Sequence, residues 1–348
     1  MDIRQLLVFA KERGASDLHL SAGSVPIVRI DGLLQRLKSP PLGDEELRDA
    51  LYGLLAPAQK RTFEEKSECD FSWALDDDTR YRVNLFRQLR GIAAVFRVIP
   101  AQVRGFEDLG LPEALKSLCH RDRGLILVTG PTGSGKSTTL AAMVDFMNES
   151  LQKHIITIED PIEFIHKSRN CLINQREVGQ HTGSFAAALR VAMREDPDVI
   201  LIGEMRDLET VSLAMTAAET GHLVLSTLHT SGSAQTIDRI IDIFPAGSKE
   251  QVRTMLSESL VAVLSQKLLP RREGRGRAMA LEILIANTAI RNLIREEKVY
   301  QIANVLQAGA SQGMATLDMS LLDLVKRGVV SRDEAAKLAA DPAKLKSP

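Results

Sequence analysis

The chain is poor in aromatic residues and in cysteine, carries almost no net charge and lacks any long apolar run. Trp, Tyr and Phe supply 4% of its 348 residues, with one Trp and three Tyr. Lys and Arg number 44 against 45 Asp and Glu, for a formal charge of −1. With no cationic surplus and no basic stretch interleaved with aromatics, it lacks the usual footprint of a nucleic-acid binder. No run approaches the roughly 18 to 20 apolar residues that cross a bilayer. The opening Met1-Asp2-Ile3-Arg4-Gln5-Leu6 does not read as a signal peptide. Cys69, Cys119 and Cys171 are widely spaced, which excludes a disulfide framework and a paired-cysteine metal motif. A cytoplasmic protein of about two domains is expected.

What is present is a complete phosphate-binding loop, Gly130-Pro131-Thr132-Gly133-Ser134-Gly135-Lys136-Ser137-Thr138. It follows the apolar run Leu125–Val128 and opens a helical pattern, the strand–loop–helix context that the motif requires. Its glycines let successive N–H groups turn toward phosphate oxygens, and the helix N-terminus adds positive potential. Thr132, Gly133, Ser134, Gly135, Lys136, Ser137 and Thr138 form the expected nucleotide-binding set. Lys136 is expected to reach the β- and γ-phosphates of ATP, and the Ser137 hydroxyl to ligate Mg²⁺.

Residues 1–100 read as a small α+β domain. An amphipathic helix at Ile3–Ala10 is followed by strand patterns at Asp17–Leu20 and Ile27–Asp31 and helical patterns near Glu45–Leu55 and Pro57–Glu65; strands at Tyr81–Phe86 and Ile92–Ile99 close it. Residues 101–112, with Pro, Gly and little periodicity, read as a linker. Residues 113–284 carry unbroken apolar runs at Leu125–Val128, Ile155–Ile158, Val199–Ile202 and Leu223–Leu225, which predict a mostly parallel sheet covered by helices. Residues 285–348 show only helical patterns, the last opened by a capping box at Ser331–Glu334.

Three segments after strands carry candidate chemistry. Ile156–Phe164 brings Glu159, Asp160 and Glu163 to a strand end, where α/β folds expose catalytic groups. ATP hydrolysis needs a carboxylate to orient or deprotonate the attacking water; Glu163 is the expected base, with Glu159 and Asp160 in support. A solvated acidic turn fits the same letters equally well. Val199–Ile202 runs into Gly203-Glu204, where Glu204 is expected to hold Mg²⁺ alongside Ser137, although Asp is the more usual residue. His229 closes the run Leu223–Leu228, as a structural histidine or a contact to the γ-phosphate. Charge on the transferring phosphoryl group calls for arginines. Arg82 and Arg97 sit on strand patterns, and Arg190 and Arg194 share a predicted helix face; each has an ordinary role as a surface cation available.

Taken together, the phosphate loop, the acidic box Thr157–Phe164, Gly203–Asp207 and the histidine box Ser226–Thr230 resemble the secretion ATPase superfamily of type II secretion and type IV pilus machines. The resemblance runs nearly the whole length, from Ser16–Gly23 through Ala217–His222 and Thr236–Asp242. Within the superfamily the chain is most similar to the retraction ATPases of twitching motility, whose signature matches Ala289-Ile290-Arg291-Asn292-Leu293-Ile294-Arg295-Glu296. Packing alone would also account for a helix with Ile290, Leu293 and Ile294 on one side. Extension ATPases usually carry a four-cysteine zinc module between Leu268-Leu269-Pro270 and Glu282-Ile283-Leu284; no cysteine stands there, so no zinc is expected.

The resemblance implies a PAS-like amino-terminal domain, a RecA-like P-loop ATPase domain and a helical C-terminal part. It implies a homo-hexamer with nucleotide at the junction of the two domains, and gives Arg82, Arg97, Arg190 and Arg194 the role of phosphate contacts. The implied partner is an inner-membrane, PilC-like platform protein at the pilus base, with a PilU-like paralogue as a second partner. Membrane association then runs through partners only, and no nucleic acid is bound. The competing readings are a nucleotide-gated accessory subunit of PilU type and a RecA-like ring acting on nucleic acid.

Overall fold

Asp2 starts the first helix: its carboxylate accepts from the backbone N–H of Arg4 and Gln5, and Ile3, Leu7 and Ala10 are buried along one stripe of α1 (Ile3–Glu12). The computed structural model describes residues 2–30, 32–76, 79–99, 103–274 and 276–345, all but Lys344 with their side chains. Asp31 of the expected strand Ile27–Asp31, residues 101–102 of the expected linker and Arg275 of the cysteine-free loop lie outside the described residues. Contacts divide the chain into two units. One comprises the described residues up to Ile99 together with Pro161–Ile165; the other comprises Val103–Asp160 and the residues from His166 onward.

The first unit holds six antiparallel strands, β1 (Asp17–Ser21), β2 (Ile27–Ile30), β3 (Leu33–Arg36), β4 (Glu68–Ala74), β5 (Arg80–Gln88) and β6 (Gly91–Ile99), in the order β3-β2-β1-β6-β5-β4. Leu18, Leu20, Phe71, Tyr81, Val83 and Phe96 alternate onto one face and bury against α1, α2 (Asp44–Tyr52) and α3 (Pro57–Lys66). The Tyr81 hydroxyl donates to the Leu7 carbonyl at 3.0 Å, and burial pushes its pKa up to about 12. The alternation places Arg82 and Arg97 on the opposite face. β3 and β4 have no counterpart in the sequence reading: β3 is four exposed residues without a core pattern, and the polar residues between Cys69, Phe71 and Trp73 disguise β4.

The second unit holds a seven-stranded sheet of β7 (Gly124–Thr129), β8 (His154–Glu159), β9 (Leu172–Glu177), β10 (Val199–Ile202), β11 (Leu223–Leu228), β12 (Leu260–Pro270) and β13 (Arg277–Ile285). Its order is β13-β12-β7-β11-β10-β8-β9, parallel except for the β12–β13 pair. Every residue of β7, β10 and β11 is buried, as continuous apolar runs require. One face is covered by α7 (Phe185–Ala192), α8 (Leu208–Glu219), α9 (Ser233–Asp242), α10 (Lys249–Ser259), α11 (Thr288–Arg295) and α12 (Ile302–Ala308). The other is covered by α4 (Phe106–Leu109), α5 (Ala114–Cys119) and α6 (Lys136–Ser150). Phe106 and Leu111, within the stretch read as a linker, are part of this second core.

After β13, α13 (Leu317–Lys326) and α14 (Arg332–Ala336) pack on Leu269, Ala278 and Ala280 of the β12–β13 pair. The expected capping box is half formed. Ser331 Oγ accepts from Glu334 N at 3.3 Å, but the Glu334 carboxylate turns forward to Lys337. Among the described residues no helix is long and apolar enough to cross a membrane.

Candidate active site

The phosphate loop leaves the C-terminal end of β7, between β11 and β12, where parallel sheets place their ligands. Gly130 has φ 143°, and a Cβ there would lie 2.4 Å from the Gln266 carbonyl oxygen, so strand and loop pack too closely for a side chain. Gly135, at φ 88°, is the N-cap of α6 and offers no capping side chain of its own. The first-turn N–H groups therefore have no competitor of that kind for an anion. Lys136 is 9% exposed; its Nζ donates to the carbonyls of Gly130 at 2.9 Å and Pro131 at 3.1 Å.

Glu204, just beyond β10, and His229, just beyond β11, meet beside this lysine. His229 Nε2 is 3.1 Å from Glu204 Oε1, and His229 Nδ1 is 3.5 Å from Lys136 Nζ. Arg206 clasps Glu204 with two nitrogens, Nε to Oε1 and Nη2 to Oε2, each at 2.7 Å. Burial pushes the Glu204 carboxyl up, but the Arg206 hydrogen bond and charge, together with the contact to His229, outweigh it, leaving its pKa below the ordinary value. The three strand ends are tied together as well. Gly203 N donates to Ile158 O at 2.8 Å, and Thr227 Oγ1 to Gly203 O at 2.6 Å.

The acidic box divides. Glu159 ends β8 and accepts from Thr157 Oγ1 at 2.7 Å and Gln175 Nε2 at 3.2 Å. Asp160 is exposed, and its charge adds to that of Glu204 in raising the Arg206 pKa. Glu163 is exposed and lies in Pro161–Ile165, the segment that belongs to the amino-terminal unit.

The arginines are held in two ways. Arg82 of β5 and Arg97 of β6 are direct cross-strand partners. Arg97 Nε donates to the buried Asp17 carboxylate at 2.8 Å, while Arg82 stands 4.0 Å from Asp70. In the second unit Arg190 pairs with Glu209 of α8. Arg194 does not share its helix face: α7 ends at Ala192, and Arg194 lies exposed in the turn that follows. Arg194 N donates to Val191 O, a tightening that closes the helix early.

The Ala289–Glu296 segment forms α11 and the residue that ends it, capped by Asn287, whose side chain accepts from Ile290 N. Ile290 and Ile294 are fully buried, with Leu293 packed beside them. Arg291 is turned inward too, donating to the carbonyls of Ser257, Glu258, Leu260 and Ala286. Ala289, Asn292, Arg295 and Glu296 are exposed.

Sequence reasoning passed over Gln266 and Arg277. Gln266 Nε2 donates to Ser134 O at 2.5 Å, and Arg277 Nη1 to Gly133 O at 3.2 Å. A signal was present for the first: a glutamine set between the apolar stretches Leu260–Leu264 and Leu268–Leu269 of one strand must find partners when buried.

Similarity to known proteins extends along almost the whole chain. Residues 2–337 match the family described as Type II/IV secretion system protein. The chain is 55% identical over 342 residues to the type IV pilus retraction ATPase PilT of Pseudomonas aeruginosa, covering 98% of this chain and 99% of that one. It is 54% identical over 314 residues to a twitching motility protein of Neisseria gonorrhoeae, covering 90% and 84%. A crystal structure of the pilus retraction motor PilT with bound ADP superposes with a TM-score of 0.92 at 49% identity, over 99% of each chain. With a loop, an acid and a histidine set on adjoining parallel strands and a match along almost its entire length, the chain belongs to the type II/IV secretion system protein family.

Proposed function

We propose that the chain is a hexameric motor ATPase that hydrolyses ATP to ADP and phosphate and powers type IV pilus retraction, the basis of twitching motility, by acting on an inner-membrane platform protein. One observation carries the catalytic part of this reading: the continuous string Arg206–Glu204–His229–Lys136, which joins two strand ends to the phosphate loop. The likeness to pilus retraction ATPases supports the cellular part.

Lys136 and the loop N–H groups bind the β- and γ-phosphates, and His229 reports the state of the γ-phosphate to Glu204. Glu163 is the base for the attacking water, supported by Glu159 and Asp160. Arg82, Arg97, Arg190 and Arg194 contact phosphates across the assembled ring. The Ser137 hydroxyl and the ionised Glu204 are hard oxygen donors, a set that fits Mg²⁺, which takes few protein ligands and keeps water and phosphate oxygens. Bound there, Mg²⁺ would offset phosphate charge. The protein is cytoplasmic and reaches the membrane through its partners.

ATPase activity across a size-exclusion profile tests this, with the intact chain beside Lys136→Ala and Glu204→Ala. Activity confined to a hexamer-sized peak and lost in both variants supports the ring motor. Monomeric turnover indifferent to Glu204 removes it.

A further inference from the structure

Gln266 lies at the heart of the second unit, fully buried on β12, in register with Leu281 of β13 and one residue past the Ser265–Thr129 pair that joins β12 to β7. Its amide spans the phosphate loop. Oε1 accepts from Thr139 Oγ1 at 2.9 Å, one turn into α6, and Nε2 donates to Ser134 O at 2.5 Å. A Cβ on Gly135 would come 3.2 Å from that same Nε2.

The consequence follows from peptide geometry. In a trans peptide the carbonyl and the next N–H point in opposite directions. Anchoring Ser134 O to Gln266 therefore aims the Gly135 N–H away from β12, toward the concave side of the loop. The second contact, to Thr139, ties that peptide plane to the helix whose N-terminus faces the same side. We propose that Gln266 is a positioning residue for nucleotide binding, holding the 134–135 peptide in the orientation that receives phosphate oxygens. A backbone carbonyl only accepts, so the group facing Ser134 must be a donor; an acceptor of the same shape fails.

This inference rests on the nucleotide site proposed above, and the test separates the two. Mg²⁺ and ADP are titrated calorimetrically into the intact chain, Lys136→Ala, Gln266→Met, Gln266→Glu and Thr139→Val at pH 8 and pH 6, with melting temperatures recorded. Gln266→Met keeps the size of the side chain and removes the donor; binding is expected to weaken on the order of tenfold at both pH values. Gln266→Glu is expected to bind weakly at pH 8 and to recover toward the intact value at pH 6. Burial raises its carboxyl pKa, and the neutral acid then donates to Ser134 O as the amide does. Thr139→Val is expected to weaken binding a few-fold.

Intact affinity in Gln266→Met or Gln266→Glu at both pH values overturns the proposal. So does a loss in Gln266→Glu that is equal at both and matched by a fall in melting temperature, which is the mark of damaged packing. Should Gln266→Met fail to fold, the pH response of Gln266→Glu decides. If the intact chain does not bind ADP, or Lys136→Ala binds it unchanged, the nucleotide reading itself falls and takes this inference with it.

Discussion

His229 presents Nε2 to the Glu204 carboxylate at 3.1 Å while its Nδ1 faces the Lys136 ammonium at 3.5 Å. An ammonium only donates, so Nδ1 must accept, and the proton belongs on Nε2, where it donates to Glu204. The imidazole thus faces an acid on one side and the phosphate-loop lysine on the other. On the function proposed above, a change in what Lys136 contacts reaches Glu204 through one ring.

That arrangement predicts that His229→Ala lowers kcat by about a hundredfold, in the range seen when one positioned donor is removed from a transition state. ADP affinity should stay within a few-fold, because the loop glycines and Lys136 remain. Steady-state hydrolysis beside ADP calorimetry reads both quantities. Equal losses in rate and affinity would mean that His229 merely supports the loop.

The paired arginines of the amino-terminal unit should separate in a similar way. Arg97 holds Asp17, whose side chain is 4% exposed, whereas Arg82 and Asp70 form an open pair at 4.0 Å. Arg97→Ala is expected to cost about 1 to 2 kcal/mol of stability, because it strips a charged hydrogen bond from a buried carboxylate. Arg82→Ala should stay within about 0.5 kcal/mol, as exposed pairs do. If both contact phosphate in the assembled ring, both lose ATPase activity, and denaturant titration shows which loss carries a folding component.

The parallel core was legible because burial on both faces writes itself as unbroken apolar runs, and Leu125–Val128 and Val199–Ile202 are such runs. The loop was legible because its glycines are demanded by geometry, Gly130 most clearly. The β12–β13 pair was hidden because β12 begins at Leu260 directly after α10, with no turn residue to mark the change of period. β9 was hidden by its polar edge residues. At the site, Glu204 and His229 could each be singled out by their place after a strand. Their contact could not, because it depends on β10 and β11 being neighbours. Arg97 showed as a cation in the letters, but its hold on Asp17 depends on the β1–β6 register.

Arg291 and Arg295 share α11 and should behave differently. Arg291 closes three backbone carbonyls at the junction of α10 with β12 and a fourth, Ala286, just after β13, so Arg291→Ala leaves acceptors unpaired and is expected to cost about 2 to 4 kcal/mol. Arg295 is exposed and bonds to Asn292 at 2.6 Å; Arg295→Ala should change stability by less than about 0.5 kcal/mol. A role of this helix in retraction would then be carried by its exposed residues. Arg295→Ala and Glu296→Ala would abolish pilus retraction in cells while ATPase activity and melting temperature hold. Retraction lost only together with stability would reduce the motif to packing.

His166 makes the second unit sensitive to mild acid. Burial lowers its pKa to about 4, with repulsion from Arg169 adding to the effect and the Asp145 charge opposing it, and its buried Nδ1 has no hydrogen-bond partner. The folded chain therefore holds the imidazole neutral where the unfolded chain, titrating near 6.5, protonates it. More protons are bound by the unfolded state across that interval, so stability rises with pH there. The contribution is complete above about pH 6.5 and fades as pH falls toward 4, a loss of about 3 kcal/mol from this one group. Denaturant titrations at pH 7, 5.5 and 4.5 should show that slope, and His166→Gln should flatten it while leaving the pH 7 value lower or unchanged. An unaltered slope in the variant would assign the acid sensitivity to other groups.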